Sequence, residues 1–128
     1  MKPHPADAIT MMRLERIAEL VDAVLITGTE EPDVPVEVEH CYIADLMSDV
    51  LAFCPPDALL ITGLTNTQVV RTADVADIKA VVFVQSKKPD HETVALARKK
   101  QLPLLATSLP GFEVCARLHK AGLGMAGG

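Results

Sequence analysis

The sequence holds few aromatic residues, few cysteines and no excess of positive charge. Phe, Tyr and Trp together make up 3% of the 128 residues, and Trp is absent. The three cysteines, Cys41, Cys54 and Cys115, form no CxxC pair and lie among apolar residues, so we predict reduced thiols in the core. The 12 Lys and Arg against 17 Asp and Glu give a net charge of −5 without a basic stripe. We therefore predict no nucleic-acid partner.

A membrane-spanning segment and a secretion signal are also missing from the sequence. No apolar run approaches the length that crosses a bilayer. The N-terminus carries Lys2, Pro3 and Pro5 where a signal peptide needs apolar residues. We predict a cytoplasmic protein without a membrane partner, and a flexible N-terminus over residues 1–8.

Motifs that bind cofactors or supply catalytic groups are missing as well. The GxGxxG pattern at 122–127 follows a predicted helix instead of opening one, so it does not predict a dinucleotide site. His40 and Cys41 put two potential metal ligands together, but neighbours on a strand point to opposite faces. No phosphate-binding loop and no serine in a nucleophile elbow are present. We predict a noncatalytic protein without a cofactor or metal ion.

The sequence does contain a repeat of apolar run, polar turn and helical pattern. The apolar runs lie at 58–62, 80–84 and 104–107, and helical patterns follow at about 66–77, 90–100 and 111–121. We place the strands at 58–63, 80–85 and 103–107. This alternation predicts an α/β fold with a mostly parallel sheet and helices on both faces.

The first part of the chain predicts an N-terminal helix and a short edge strand beside that sheet. Thr10 is placed to cap the helix, whose apolar stripe includes Met12. A strand is expected at 25–28. The alternating valines of 34–38 predict an edge strand, because Pro35 cannot donate a ladder hydrogen bond.

Two further signals complete the predicted domain. Asp45 is placed to cap a helix that ends before Pro55, and Asp49 is expected to be a solvated acid on that helix. Gly122 is expected to end the last helix. We predict a single domain over residues 9–122, followed by a flexible Gly-rich tail over residues 123–128.

Polar residues cluster in the turns that follow the predicted parallel strands. Ligands collect at this edge of a parallel sheet, because helix N-termini present unpaired N–H groups there. Backbone amides and hydroxyl groups can hold an anion or a nucleotide, with Lys87 neutralising charge. The structural alternative is that Thr65, Asn66, Ser86 and Ser108 cap helices. The predicted ligand-binding residues are Thr62, Gly63, Thr65, Asn66, Thr67, Gln85, Ser86, Lys87, Thr107 and Ser108.

The order of these elements, together with three sequence segments, resembles the DRTGG domain. The segments are LITG at 25–28, YIADLMSDVL at 42–51 and LITG at 60–63. The resemblance covers about residues 8–124, and it extends to the N-terminal domain of HPr kinase/phosphorylase and to the regulatory domain of some phosphate acetyltransferases. The name motif itself is altered: Thr65-Asn66 stands for Asp-Arg, and Val84-Gln85-Ser86 stands for Thr-Gly-Gly.

The resemblance implies a noncatalytic regulatory module that forms a homodimer and modulates a partner, with redox or signalling enzymes as the partner class. A small anionic metabolite or nucleotide is the expected ligand. Two other functions remain open on the sequence. One is a small enzyme that acts on a phosphorylated or acyl metabolite through Lys87 or a serine hydroxyl. The other is a protein-interaction adaptor that binds no small molecule.

Overall fold

The computed structural model describes residues 11–27 and 35–125, which form two sheets and five helices. The six-stranded sheet has the order β2-β7-β6-β5-β4-β8, and β1 pairs with β3 in a separate two-stranded sheet. The strands are β1 (Met12–Arg13), β2 (Val24–Leu25), β3 (Glu37–Val38), β4 (His40–Ile43), β5 (Ala58–Thr62), β6 (Ala80–Phe83), β7 (Leu104–Ala106) and β8 (Gly124–Met125). The helices are α1 (Leu14–Leu20), α2 (Met47–Phe53), α3 (Thr67–Val75), α4 (His91–Lys99) and α5 (Gly111–Lys120).

The central strands β5, β6 and β7 are buried along their whole length. They pair in parallel with one another, and β4 and β8 extend the sheet in parallel beyond β5. Only β2, at the other edge, runs antiparallel to its neighbour β7. Strands that are covered on both faces have no polar side, which explains their continuous apolar runs. The predicted mostly parallel α/β sheet is confirmed.

Helices cover both faces of the six-stranded sheet. On one face, α1 and α5 bury Ile17 and Leu118 against a core that includes Leu59 and Val82. On the other face, α2, α3 and α4 pack around Phe83 and its neighbours. The two clusters are separate because successive strand residues point to opposite faces.

Four helices end in the same way, with a residue in the left-handed region followed by a residue that returns to the core. After α3, α4 and α5 these left-handed residues are Asp77, Gln101 and Gly122, with φ of 56°, 58° and 105°. After α5, Leu123 N donates to Leu118 O at 3.0 Å and Gly122 N donates to His119 O at 3.0 Å, which is the Schellman pattern. After α1, Asp22 has φ of 52°.

Several predicted boundaries are wrong at the start of the chain. Met12 lies in β1 instead of in a helix, because Leu14 N donates to Val36 O and continues the β1–β3 ladder into the start of α1. The strand predicted at 25–28 is found at Val24–Leu25, and the edge strand of 34–38 is reduced to Glu37–Val38. Thr10, Gly28, Val34 and the predicted flexible residues 1–8 lie outside the described residues.

The end of the domain also differs from the sequence prediction. Leu123, predicted to begin a flexible tail, is fully buried, and Gly124–Met125 pairs in parallel with β4. The Schellman turn at Gly122 explains the burial of Leu123 and the pairing of β8, because it returns the chain to the core after α5. The domain therefore extends to residue 125, and residues 126–128 lie outside the described part of the chain.

Candidate functional site

A cleft of about 420 Å³ lies at the carboxyl edge of the parallel strands. It is bounded by the residues that follow β4, β5 and β6 and by the first turn of α5. Polar, glycine and apolar residues share its wall: Ile43, Ala44, Asp45, Thr62, Gly63, Val84, Gln85, Lys87, Pro110, Gly111 and Phe112.

Asp45 joins the ends of two neighbouring strands at the base of this cleft. Its Oδ1 accepts hydrogen bonds from Thr62 Oγ1 at 3.0 Å and from Gly63 N at 2.8 Å. The strand ladder brings the groups together, because Ala44 N donates to Ile61 O one residue before them. The predicted role of Asp45 as the cap of α2 is wrong, since Leu46 occupies the N-cap position and no side chain caps α2.

Threonines at the ends of β5 and β7 use their hydroxyl groups to shape the following turns. Thr62 Oγ1 accepts from Leu64 N at 3.1 Å, in addition to its donation to Asp45. Thr107 Oγ1 donates to Val21 O at 2.6 Å and accepts from Leu109 N at 3.2 Å. Both residues are buried. Their hydroxyl groups are therefore occupied by the protein itself.

The turn after β6 places two consecutive residues in the left-handed region. Gln85 and Ser86 have φ of 57° and 60°, and Lys87 N donates to Val84 O at 3.1 Å. Positive φ at both central residues is the signature of a type I′ turn, which favours Asn-Gly. Each non-glycine residue in this region costs about 1 kcal/mol or more. Two bonds hold the turn: Gln85 N to Leu109 O and Ser86 N to Thr107 O, both at 2.9 Å.

This turn brings the Lys87 side chain over Gly63. A methyl group built on Gly63 would lie 3.1 Å from Lys87 Nζ and 3.7 Å from Asp45 Oδ1. Glycine at this position therefore leaves room for the ammonium group. Within residues 11–27 and 35–125, Lys87 makes no ion pair.

The first turn of α5 faces the cleft without a side-chain cap. Pro110 occupies the N-cap position, and Val114 N is the first amide bonded back to it. The two preceding helices differ, since Asn66 Oδ1 accepts from Gln68 N and Asp90 Oδ1 accepts from Thr93 N. A methyl group on Gly111 would lie 2.7 Å from Ile43 Cδ1, so the absence of a side chain lets α5 approach β4.

The structure brings four of the ten predicted site residues into the wall of the cleft, namely Thr62, Gly63, Gln85 and Lys87. The other six are Thr65, Asn66, Thr67, Ser86, Thr107 and Ser108, which do not line it. The capping alternative holds for Asn66. Sequence reasoning missed Asp45, Gly111 and Phe112 as cleft residues. Recognition of 40–43 as a strand parallel to β5 would have placed Asp45 beside Thr62.

A larger groove of about 750 Å³ lies at the opposite, amino edge of the sheet. Both lysines in its wall are paired: Lys79 with Asp57 at 3.5 Å and Lys100 with Asp74 at 3.2 Å. We take the smaller cleft as the candidate site, because a cation that is already paired offers less to an anionic ligand than Lys87, which makes no ion pair with the described residues.

The cysteines lie outside both the cleft and the groove and are not joined by a disulfide within the described residues. Burial, reinforced by the nearby Cys115, raises the pKa of Cys41 to about 12. Burial raises the pKa of Cys54 to about 11 and also raises the pKa of Cys115. All three thiols are therefore protonated at neutral pH and are poor nucleophiles.

Two searches of the described residues gave no candidate. No group of three or more His, Cys, Asp or Glu side chains in the described ranges is arranged to hold a metal ion. None of the helices formed by these residues has the length and apolar character needed to span a membrane.

Comparison with known proteins identified a matching family and similar solved structures. The model of the DRTGG domain family matches residues 16–121. No match was found among curated protein sequences. The fold is similar to the CBS and DRTGG domains of the regulatory region of Clostridium perfringens pyrophosphatase, complexed with its activator diadenosine tetraphosphate. The TM-score is 0.69 at 16% identity, over 88% of this chain and 47% of that chain. This chain thus spans about half the length of that structure.

Proposed function

The chain belongs to the DRTGG domain family, and we propose that it is a noncatalytic regulatory module that binds a small anionic metabolite or nucleotide in the carboxyl-edge cleft. The ligand-bound state would modulate a partner protein. One observation carries this proposal: the unpaired ammonium group of Lys87 lies above Gly63 in the wall of the cleft.

The electrostatics of the cleft favour a group with negative charge next to Lys87. The uncapped first turn of α5 adds N–H groups and the positive end of the helix dipole at the same cleft. Asp45 is the opposing charge, but its Oδ1 is already engaged by Thr62 and Gly63. A phosphate or carboxylate can therefore approach Lys87 and α5 while Asp45 keeps its role in the turn.

The regulatory role is supported by the family and by the structural neighbour. The neighbour is described as a regulatory region bound to a nucleotide activator. A regulatory domain needs a ligand site and a surface that transmits its occupancy, and it needs no catalytic group. The serine form of the enzymatic alternative loses support because no serine among the described residues lines the cleft, and Lys87 is the group that remains for it.

Self-association is the second part of the proposal, supported by exposed apolar side chains on and beside α2. Leu46, Leu51 and Phe53 are 60%, 54% and 68% exposed. Apolar residues this exposed favour an interface. We expect light scattering to give a homodimer, and the Phe53→Ser variant to weaken it. Val24→Ser, at the distant β2 edge, is the matched control. A wild-type mass of only 13.7 kDa at high concentration would reject the dimer.

The ligand proposal is tested by thermal shift with inorganic phosphate, pyrophosphate and nucleotides on two lysine variants. Lys87→Met removes the cation of the cleft, and Lys88→Met removes an adjacent exposed charge that does not line it. A ligand at 100 times its Kd stabilises the native state by about 2.7 kcal/mol. We expect Lys87→Met to lose this shift and Lys88→Met to keep it. No shift with any probe at millimolar concentration would reject the proposal.

A further inference from the structure

The left-handed non-glycine residues of the described chain have different origins: three follow helix ends, Asp57 lies in the turn before β5, and Gln85 and Ser86 lie in the turn after β6. Asp22, Asp77 and Gln101 end helices, and the following residues return to the core with hydrogen bonds such as Leu102 N to Ala97 O at 2.9 Å. Helix termination therefore accounts for their conformation. Gln85 and Ser86 lie between a strand and a helix, where no helix end demands positive φ.

Asn-Gly or Gly-Gly would adopt the type I′ turn at positions 85 and 86 with less backbone strain than Gln85 and Ser86. Glutamine has no special tolerance for the left-handed region, unlike Asn or Asp. A residue kept at a strained position is a reason to look for a role of its side chain. Gln85 lines the cleft beside Lys87, whereas Ser86 does not. The Gln85 side chain is exposed, so its carboxamide is open to solvent and is available to a ligand in the cleft.

We propose, on the basis of the proposed function, that Gln85 is a specificity-determining residue of the cleft. Lys87 binds the anionic group of the ligand, and the Gln85 carboxamide binds an uncharged part of the ligand that both donates and accepts hydrogen bonds. The edge of a nucleobase has this property. Phe112, which is 83% exposed at the rim of the cleft, offers an aromatic ring on which the base can stack. The volume of about 420 Å³ suits one nucleotide. The ligand class is therefore a nucleoside monophosphate.

The test uses calorimetric titration of AMP, GMP, CMP and UMP, with adenosine and inorganic phosphate as partial ligands. Gln85→Gly removes the carboxamide and the strain together, and Ser86→Gly removes only strain. We expect Gln85→Gly to weaken binding of the preferred nucleotide about fivefold to tenfold and to reduce discrimination among the four bases. Ser86→Gly should stay within about twofold. Gln85→Asn, which retains the carboxamide, should bind more tightly than Gln85→Gly.

Thermal unfolding of the same variants supplies an independent readout. Both glycine variants should raise Tm by about 2–5 °C, because each relieves one left-handed residue. A lower Tm for Gln85→Gly would contradict the strain on which the inference rests.

The outcomes separate this inference from the proposed function. Unchanged nucleotide binding in Gln85→Gly, or an equal loss in Ser86→Gly, overturns the role of the carboxamide. Binding of phosphate or pyrophosphate through Lys87 without any nucleotide binding overturns the ligand class and leaves the regulatory proposal standing. Absence of binding by every probe overturns both.

Discussion

The amino and carboxyl edges of the sheet differ in how their charges and strained residues are used. The groove at the amino edge is larger, about 750 Å³ against about 420 Å³. Its lysines are paired with Asp57 and Asp74. Two of its three left-handed residues, Asp77 and Gln101, end helices, and the third, Asp57, lies in the turn before β5. At the carboxyl edge, Lys87 has no ion-pair partner in the described part of the chain, and no helix end explains the conformation of Gln85. The smaller site therefore has more capacity left for a ligand.

This difference in free charge, and not cavity size, is the basis on which we propose the smaller cleft as the ligand site. The amino edge gathers the turns from helix to strand, which need helix ends and returning apolar residues. The carboxyl edge gathers the turns from strand to helix, where amides and polar side chains point outward. The same type of substitution should therefore change stability or ligand binding by different amounts at the two edges.

The largest expected difference is between two aspartates. Asp45→Ala removes the acceptor of the buried Thr62 hydroxyl and of Gly63 N, so it should lower the free energy of unfolding by about 1–3 kcal/mol. Asp57→Asn removes the charge from an exposed ion pair with Lys79 and keeps a side chain that tolerates the positive φ of 64° at this position, so it should cost less than about 1 kcal/mol. Urea unfolding measures both, and equal losses would show that Asp45 does not hold the cleft together.

A smaller effect, with the opposite sign, is expected at Gln101. Gln101→Gly should raise the free energy of unfolding by about 0.5–1 kcal/mol, because glycine adopts positive φ without strain. Gln101→Ala keeps the β-carbon and should give no such gain. Neither variant should change ligand binding. A loss of binding in Gln101→Gly would place the site at the amino edge, contrary to our assignment.

The ion pair of Lys100 with Asp74 should contribute still less. Both side chains are about half exposed, so water screens their attraction. We expect Lys100→Met to change the free energy of unfolding by about 0.5 kcal/mol or less in a urea titration. A cost several times larger would mean that the paired charges stabilise the groove more than their exposure suggests.

The smallest effect concerns the pH dependence of the α4 cap. The hydrogen bond from Thr93 N lowers the pKa of Asp90 from its ordinary value of 3.8. The folded state thus binds fewer protons at Asp90 than the unfolded state, so this stabilisation is present above the unfolded pKa and is lost as the pH falls through the folded pKa. Asp90→Asn keeps a capping side chain but removes the titrating group, so it should flatten the part of the Tm profile that lies below the ordinary pKa of 3.8. Superimposable profiles of the wild type and the variant would contradict the lowered pKa of Asp90.

The sequence predicted the centre of the fold better than its edges. The strands β5, β6 and β7 were predictable because each is a continuous apolar run with a turn after it. The strand β4 was missed as a strand of the sheet, because its four residues run directly into the pattern of α2. Without that strand, Asp45 could only be interpreted as a helix cap. The end of the domain was missed because the return of Leu123 depends on tertiary packing.

The cleft lies at the edge of the sheet where the sequence predicted a ligand site, but the sequence predicted only four of its lining residues. Turn residues such as Lys87 and Gly63 could be predicted from the order of strands and helices. Phe112 and Gly111 could not, because α5 reaches the cleft only through its packing on β4. The unpaired state of Lys87 and the positive φ of Gln85 also depend on the folded structure.

The central claim is that an anionic ligand binds at the carboxyl edge through Lys87 and not in the larger groove. Calorimetric titration of a phosphate-bearing ligand into Lys87→Met and Lys100→Met tests it most directly. We predict a loss of binding of about tenfold or more for Lys87→Met and a change within about twofold for Lys100→Met. Tight binding by Lys87→Met together with weakened binding by Lys100→Met would contradict the account.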